Sequence, residues 1–354
     1  MPSYRAWLKR CLTPFLTIMS LHLASPAALA ESAVPVVDLH VDVSYQFNYK
    51  HAAIGTLSGQ CVANQLAEGG VYALVLPLYV PHEVSPEGPR LSDIERSYSN
   101  LLAALACTPP YLVPGSHLEP GRVASYLSLE GAAPFAGRPG DVARWVSRGV
   151  QIWGLVHVHD NALATSAGPG PRRRLTKVGL TDAGREVVRA IHRAHAYVDV
   201  SHASDAAVAD VLELAREDKM PVFATHSNAD KLAPHARNLT DDQLRGIADS
   251  GGLIGVNFHA KFLCRNRKAT LNDVVQQVRY MVRLIGVEHV GIGSDFEGGI
   301  RPPEELRDMR GYQTLATALR RSGLSRAEVE QIMSGNALRL LNRGTGASHT
   351  VTID

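Results

Sequence analysis

Eight short runs of β-branched and other apolar residues recur along the chain, with longer segments of helical character between them. The runs are Val36–Asp42, Val71–Val80, Ser125–Gly131, Ile152–Val158, Tyr197–Ala203, Val222–Ser227, Leu253–Phe258 and Val290–Phe296. This alternation is typical of repeated βα units around a parallel sheet. Eight such units in about 320 residues favour one closed (β/α)8 barrel of the TIM type.

The segments between the runs predict the helices that cover the barrel, and several of them open with a helix-capping residue. They are Leu91–Ala106, Gly140–Arg148, Thr181–Ala194, Asp205–Glu217, Thr240–Ser250 and Thr270–Ile285, and Glu304–Leu341 is expected to supply the closing helices. A doubly wound open sheet is the alternative. It is disfavoured because no glycine-rich phosphate loop follows the first run. No long linker divides the sequence, so residues 31–354 are expected to form a single domain.

The first thirty residues differ in character from the rest. Three basic residues precede the apolar run Cys11–Ala24, and Ala28-Leu29-Ala30 offers small residues at the spacing that a signal peptidase requires. This pattern predicts that residues 1–30 are a cleaved secretory signal peptide and that the mature chain is periplasmic or secreted. An uncleaved anchor is the alternative, but the apolar run is shorter than the roughly 20 residues that span a bilayer.

The charge of the mature chain gives no support to nucleic-acid binding. The whole sequence has 36 basic and 34 acidic residues, and removal of residues 1–30 leaves 33 basic against 34 acidic, a net charge of −1. The one dense basic cluster, Arg172-Arg173-Arg174, follows a Gly-Pro repeat and is interpreted as a solvated loop. The final residues Thr350–Asp354 lack the apolar tail of a lipid-anchored protein, so no stable membrane anchor is expected.

Three cysteines remain after the predicted signal peptide, at Cys61, Cys107 and Cys264. Their spacing contains no C-x-x-C pair, which excludes a zinc knuckle and a dithiol redox motif. An oxidising compartment favours one disulfide, for which Cys61 and Cys107 are the preferred pair. Cys264 is then expected to be a buried free thiol.

Polar side chains collect where the runs end, and the carboxyl ends of barrel strands are where active sites of this fold lie. The first run ends Asp38-Leu39-His40-Val41-Asp42, and its three polar residues share one face of a strand. His40 and Asp42 could chelate one metal ion there, although an ordinary polar strand end explains the pattern as well. Glu130 closes the third run and is explained either by a structural salt bridge or by a bridge between two metal ions.

Histidines follow three neighbouring runs. His157 comes at the fourth run, His202 at the fifth and His226 at the sixth. A single histidine in such a place is more often a core residue, but three at one rim favour a metal site, because imidazole is the commonest metal ligand. Asp295 ends the eighth run and could bind metal or act as a general base.

Taken together, these nitrogen and oxygen ligands, with no thiolate among them, suit two zinc ions or similar borderline metals. The set is His40, Asp42, Glu130, His202, His226 and Asp295. Two ions about 3.5–4 Å apart lower the pKa of a bound water and clamp both reacting oxygens. The joint pattern therefore predicts a metal-dependent hydrolase.

The sequence resembles the membrane (renal) dipeptidases and their bacterial relatives, a branch of the amidohydrolase-like metal barrels. The resemblance extends over nearly the whole mature chain. Its motifs are Asp38-Leu39-His40-Val41-Asp42, Ser128-Leu129-Glu130-Gly131, Leu155-Val156-His157, Asp199-Val200-Ser201-His202, Ala224-Thr225-His226-Ser227, Arg237-Asn238, Gly251–Phe258, Gly293-Ser294-Asp295-Phe296 and Gly335-Asn336-Ala337-Leu338-Arg339. It implies a zinc-dependent dipeptidase, in which a metal-bridging hydroxide cleaves dipeptides, with L,D-dipeptides among the candidate substrates.

The resemblance also implies which residues would hold the metal. His40 and Asp42 would bind one zinc ion. His202 and His226 would bind the other, and Glu130 would bridge the two. These roles depend on the family match and not on spacing alone.

Three further residues receive roles from the same resemblance. His157 would donate a hydrogen bond to the substrate carbonyl as it becomes an oxyanion. Arg237 would clamp the free carboxylate of the substrate, although on spacing alone a surface salt bridge is the simpler interpretation. Asp295 would take a proton from the metal-bound water and pass it to the leaving amine. His259, after the seventh run, receives no role.

Two alternatives stay open. An amidohydrolase that acts on another small amide, a lactone or a phosphoester would use the same barrel and ligands. A non-catalytic periplasmic binding protein would keep the barrel without turnover, but the presence of ligands, bridge, base and carboxylate clamp together argues against it. The expected partner is a small dipeptide, and the oligomeric state is left open, with a homodimer as one option.

Overall fold

Eight parallel strands pair in sequence order in a computed structural model of the chain, and the first strand pairs with the last, which closes a barrel. The strands are β1 (Val36–Asp38), β2 (Val71–Tyr79), β3 (Ala124–Glu130), β4 (Val150–Gly154), β5 (Tyr197–Asp199), β6 (Val222–Ala224), β7 (Leu253–Val256) and β8 (Val290–Ile292). The structure describes residues 33–50, 59–61, 65–82, 84–85, 88–108, 111, 121–168, 178–265 and 267–343. The predicted (β/α)8 barrel is confirmed.

Helices cover the outside of the barrel and follow its last strand. They are α1 (Val43–Tyr49), α2 (Leu91–Ala106), α3 (Asp141–Ser147), α4 (Asp182–Arg193), α5 (Asp205–Asp218), α6 (Asp241–Asp249), α7 (Ala260–Leu263), α8 (Leu271–Ile285), α9 (Gly311–Arg321), α10 (Arg326–Glu330) and α11 (Asn336–Leu341). Short 3-10 turns lie at Ala133–Phe135, Val287–His289 and Glu304–Leu306, and a π-helical turn, Gln331–Gly335, joins α10 to α11. The hydroxyls of Thr181, Ser204 and Thr240 accept a backbone N–H from the first turn of α4, α5 and α6, which fixes where these helices begin.

The strands begin close to the predicted residues, but most of them end two to four residues earlier than predicted. The Asp38 carboxylate shows why, since it accepts the backbone N–H groups of His40 and Ser294 at 2.9 and 3.0 Å. Asp199 plays the same part at the end of β5. Because side-chain oxygens replace backbone acceptors at these points, the regular ladder stops and the chain turns over the rim.

The amino-terminal end of the barrel is filled by apolar side chains and covered by α11. Its inward-facing cluster contains Val37, Leu39, Ala73, Val75, Ala124, Ile152, Tyr197, Phe223 and Leu253, together with Ala337, Leu340 and Leu341 of α11. The Tyr197 hydroxyl donates to the Leu340 carbonyl oxygen at 2.8 Å and ties the helix to β5. Polar groups therefore collect at the opposite end, where the strands have their carboxyl ends.

The expected disulfide is wrong, because Cys61 and Cys107 are both free thiols in the structure. Cys61 is buried with its Sγ 3.5 Å from the hydroxyl of Tyr111, and burial raises the pKa of its thiol. Cys107 lies exposed after α2, so the two sulfur atoms have different surroundings. Cys264, expected to be buried, is half-buried.

The described residues from Val34 to Arg343 belong to one compact unit. Within the part of the chain that the structure describes, no helix has the length and apolar character needed to cross a bilayer. Three sequence predictions concern residues outside that part: the signal peptide over 1–30, the solvated loop at Arg172-Arg173-Arg174 and the polar tail Thr350–Asp354.

Candidate metal centre

The six predicted ligand and base residues lie together at the carboxyl ends of the strands. Their ligand atoms form three overlapping groups, and within each group all of these atoms lie within 4.8 Å of one another. The groups are His40, Asp42 and Glu130; Glu130, His202 and His226; and His40, His226 and Asp295. Residues at or just after the carboxyl ends of β1, β3, β5, β6 and β8 thus meet at one rim of the barrel.

Glu130 lies at the centre of the cluster. Its Oε1 atom is 3.1 Å from His202 Nε2, 3.7 Å from His226 Nε2 and 3.5 Å from His40 Nε2. The Asp42 Oδ2 atom is 3.6 Å from His40 Nε2. The Nε2 atoms of His202 and His226 are 3.0 Å apart. The glutamate therefore lies between a histidine pair on one side and a histidine with an aspartate on the other.

The buried charges of this cluster require compensation. Burial lowers the pKa of His202 and His226 well below the usual histidine value, so both rings are neutral and carry a lone pair. Burial raises the pKa of Asp42, and repulsion from Glu130 and Asp295 adds to the effect. Burial also opposes ionisation of Glu130, but the neighbouring histidines lower its pKa. Carboxylates that are buried this close together repel one another, and nearby positive charge is needed to offset the repulsion and the loss of water.

The hydroxyl of Thr225 determines which ring nitrogen carries the proton in two of the histidines. Thr225 Oγ1 donates to Asp199 Oδ2 at 2.6 Å. It can therefore accept from Nδ1 of His226 at 2.8 Å and from Nδ1 of His40 at 3.2 Å. Because each Nδ1 donates, each Nε2 keeps its lone pair and faces Glu130.

Sequence reasoning gave no role to Asp199 or Thr225. The sequence did contain a signal for Asp199, since a carboxylate that closes an apolar run is costly to bury without a partner. Asp38 carries the same signal at the end of β1, and it too is a positioning residue. Its carboxylate accepts the His40 N–H and the hydroxyl of Tyr312 from α9, so it joins β1 to a C-terminal helix.

Asp295 is held in an uncommon backbone conformation beside the ligands. Its φ of 67° lies in the left-handed region, and its backbone N–H donates to the His40 carbonyl oxygen at 3.0 Å. Asn257 Nδ2 donates to Asp295 Oδ2 at 3.0 Å. A Cβ atom at Gly298 would come within 2.6 Å of carboxylate oxygens of both Asp295 and Asp42, so glycine is required there. Burial raises the pKa of Asp295 to about 6, a value suited to proton transfer near neutral pH.

A cavity of about 500 Å³ opens over the cluster, and His157 and Arg237 line it. The ring centroid of His157 is 4.4 Å from that of His202 and 4.5 Å from that of Tyr79. Arg237 is only 5% exposed, and its Nη2 donates to the His226 carbonyl oxygen at 3.4 Å. Its Nη1 has no hydrogen-bond partner among the described residues. Of the residues predicted for the site, those that line this cavity are Asp42, Glu130, His157, His202, Arg237 and Asp295.

The cluster fits divalent cations of borderline character, such as zinc. Imidazole nitrogens and carboxylate oxygens are the ligand types that these ions accept. His40 Nε2 is buried and has no hydrogen-bond partner in the described part of the chain, although it points at two carboxylates. A lone pair in that position is explained by a bound cation.

Comparison with known proteins agrees with this chemistry. A family model described as membrane dipeptidase (peptidase family M19) matches residues 27–351. Dipeptidase aclJ of Aspergillus oryzae is 30% identical over 353 residues, an alignment that covers 92% of this chain and 82% of the relative. The solved structure of dipeptidase AC, an M19 metallopeptidase, is 27% identical with a TM-score of 0.77, and the match covers 89% of this chain and 100% of that one.

A second solved structure is a metallopeptidase from Rhodobacter sphaeroides with a phosphinate mimic of the dipeptide L-Ala-D-Ala bound to it. It is 25% identical to this chain with a TM-score of 0.76, and the match covers 88% of this chain and 100% of that one. The family match spans the whole barrel, including every strand that contributes to the cluster. The chain belongs to the membrane dipeptidase family, peptidase family M19, and is a metallodipeptidase.

Proposed function

We propose that this metallodipeptidase cleaves L,L- and L,D-dipeptides with two zinc ions held around Glu130. His40 and Asp42 would hold one ion. His202 and His226 would hold the other, and Glu130 would contact both. The observation that carries the proposal is the position of Glu130 Oε1, which lies within 3.7 Å of three imidazole Nε2 atoms.

Asp295 and His157 would act at the bond that is cleaved. Bound zinc ions polarise a carbonyl group and lower the pKa of the attacking water. Asp295 would accept the proton of that water and donate it to the amine that leaves, since its pKa is raised toward neutrality by burial. His157 would donate a hydrogen bond to the carbonyl oxygen as negative charge develops on it. Support for this pair of roles is that both side chains line the cavity beside Glu130.

Arg237 would bind the free carboxylate at the carboxyl end of the dipeptide. The guanidinium group is buried, lines the cavity and has an Nη1 without a hydrogen-bond partner among the described residues. A buried guanidinium N–H with no acceptor is costly, and a substrate carboxylate would supply that acceptor in a charge-assisted bond. The arrangement would also favour substrates of two residues, because the carboxylate must lie close to the bond that is cleaved.

Removal of the metal is expected to abolish dipeptide cleavage, and added zinc is expected to restore it, because the ions supply most of the activation of water. The measurement is release of free amino acids from a panel of L,L- and L,D-dipeptides before and after dialysis against a chelator. Cleavage that survives complete metal removal would contradict the proposal. Turnover of lactones or phosphoesters without turnover of any dipeptide would contradict it as well.

Replacement of Arg237 by alanine is expected to raise KM for free dipeptides by about tenfold to a hundredfold, the range for loss of a hydrogen bond to a charged group. KM for the same dipeptides with an amidated carboxyl end should change little. Arg245→Ala on α6 is the matched control, since its side chain is half exposed and pairs with Asp242. Equal effects on free and amidated substrates would remove the carboxylate-binding role.

Replacement of Thr225 by valine is expected to weaken metal binding by about 10–100-fold, the usual effect of losing a group that orients a ligand. Valine keeps the shape of threonine but cannot accept from the two histidines. Thr225→Ser keeps the hydroxyl and is expected to retain the affinity of the wild type. Competition with a chelating dye measures the affinity without an activity assay, and wild-type affinity in the valine variant would rule out the positioning role.

We also propose that residues 1–30 are removed on export and that residues 31–354 are the mature single-domain enzyme in the periplasm or medium. The support is the basic and apolar pattern of the first thirty residues followed by Ala28-Leu29-Ala30. The mass of the protein recovered from the periplasm tests this, because retention of the segment would add the mass of thirty residues.

A further inference from the structure

The charged residues that line the cavity divide into two sets. Asp42, Glu130 and Asp295 belong to the metal cluster. The other charged side chains among the described lining residues are cationic, and they are Lys50, Arg237 and Lys261. A dipeptide has one free carboxylate, which Arg237 would bind. The cavity therefore has a further cationic side chain, Lys261, for which a dipeptide with uncharged side chains offers no carboxylate.

One wall of the cavity is built around the ring of Phe262. The ring centroids of His235 and His259 lie 4.7 and 4.9 Å from that of Phe262, and Arg237 Cζ lies 5.6 Å from it. Lys261 precedes Phe262 at the start of α7, is exposed, and lines the same cavity. No carboxylate of the described chain forms an ion pair with Lys261.

The two histidines of this wall present N–H donors. His235 Nδ1 accepts the backbone N–H of Arg237 at 3.1 Å, and His259 Nδ1 accepts that of Arg301 at 3.1 Å. A backbone N–H can only donate, so the proton of each neutral ring is on Nε2. Neither Nε2 has a hydrogen-bond partner among the described residues. Burial, followed by the charge of Lys261, lowers the pKa of His259 to about 4, which keeps that ring neutral.

We propose that His235, His259 and Lys261 form a subsite for a second carboxylate, so that the enzyme prefers dipeptides whose carboxyl-terminal residue is aspartate or glutamate. This inference rests on the proposed dipeptidase function and on the binding of the terminal carboxylate by Arg237. The side chain of the carboxyl-terminal residue leaves the same Cα atom as that carboxylate. Its acidic group therefore reaches the wall beside Arg237, where the ammonium group and the two Nε2–H donors receive it.

The first test compares substrates that differ only in charge. For the zinc-loaded full-length enzyme, kcat/KM is measured for Ala-Glu against Ala-Gln and for Ala-Asp against Ala-Asn, each with the L- and the D-form of the second residue. We expect the acidic member to be favoured by at least about tenfold in one of the two configurations, the effect of one charge-assisted hydrogen bond. Equal values for all pairs overturn the inference.

The second test uses variants, and the ratio of acidic to amide substrate within each variant cancels losses of folding or metal. Lys261→Met is expected to lower the ratio by about tenfold, and Lys261→Glu is expected to favour Ala-Lys over Ala-Glu. Lys268→Met is the matched control, because Lys268 is exposed and does not line the cavity. A ratio in Lys261→Met equal to that of the wild type overturns the assignment.

Failure of this inference can be distinguished from failure of the proposed function. If no dipeptide is hydrolysed, dipeptide cleavage is contradicted, and calorimetric titration of the metal-loaded protein with Ala-Glu and Ala-Gln still decides the selectivity. Tighter binding of Ala-Glu supports the subsite, and equal binding overturns it. Hydrolysis of Ala-Ala with no preference for acidic residues overturns the subsite and leaves the dipeptidase function intact.

Discussion

Replacement of Asp295 by asparagine is expected to lower kcat by about 10²–10⁴-fold, the usual contribution of a general acid–base group. Asparagine has the size of aspartate and can still accept from Asn257, but it cannot take a proton from water. The fold and the bound metal should therefore be retained, and KM should change little. The measurement is kcat from amino-acid release, with metal content by elemental analysis on the same sample.

Metal content decides between two explanations of a loss at Asp295. A variant that keeps its metal and loses turnover supports proton transfer by this residue. A variant that loses metal would make Asp295 a ligand, which its position near His40 and His226 also permits. Asp242→Asn on α6 is the matched control, because that side chain is 97% exposed. Activity near that of the wild type in Asp295→Asn would remove the residue from the mechanism.

Replacement of Glu130 by glutamine is expected to remove at least one metal ion and to lower kcat/KM by about 10³-fold or more. A bound ion contributes several kcal/mol of transition-state stabilisation, and each 1.4 kcal/mol is about tenfold in rate. The amide keeps the size of the side chain but loses the charge, and only one of its two terminal atoms can bind a cation. The buried imidazoles of His202, His226 and His40 would then surround a neutral group.

Elemental analysis of Glu130→Gln should give about one zinc ion per chain or fewer, against about two in the wild type. Glu213→Gln on α5 is a suitable control, since its side chain is 59% exposed. A change in thermal unfolding temperature that disappears when both proteins are stripped of metal would assign the effect to the ions. Full metal content together with normal turnover would contradict the bridging role.

The strands could be predicted because each is a short apolar run, buried on both faces, and such runs are distinctive. Their ends could not, because they depend on contacts made in three dimensions. The carboxylates of Asp38 and Asp199 accept backbone N–H groups from the segments that follow β8 and β6. As a result, β1 pairs with β8 only at Asp38 and Ile292. No local sequence pattern indicates which side-chain oxygen will replace a backbone acceptor and so end the pairing of two strands.

The clustering of the proposed ligands could be predicted for a related reason. Each lies at or just after the end of a strand, and all strand ends of a parallel barrel meet at one rim, so order along the chain gives position. Thr225 and His40 are 185 positions apart, and only the folded barrel brings the hydroxyl to the imidazole. His235 and Phe262 lie on segments after β6 and β7 whose paths depend on packing. The disulfide prediction failed because spacing along the chain carries no distance between two sulfur atoms.

Tyr312 of α9 donates to the carboxylate of Asp38, which receives the N–H of His40. All six candidate ligands precede Tyr312 in the sequence. A chain without α9 therefore holds every candidate ligand but lacks the contact that fixes Asp38 beside His40. A protein truncated after Arg310 keeps every candidate ligand but lacks Tyr312. We expect elemental analysis of this truncated protein to find little bound zinc.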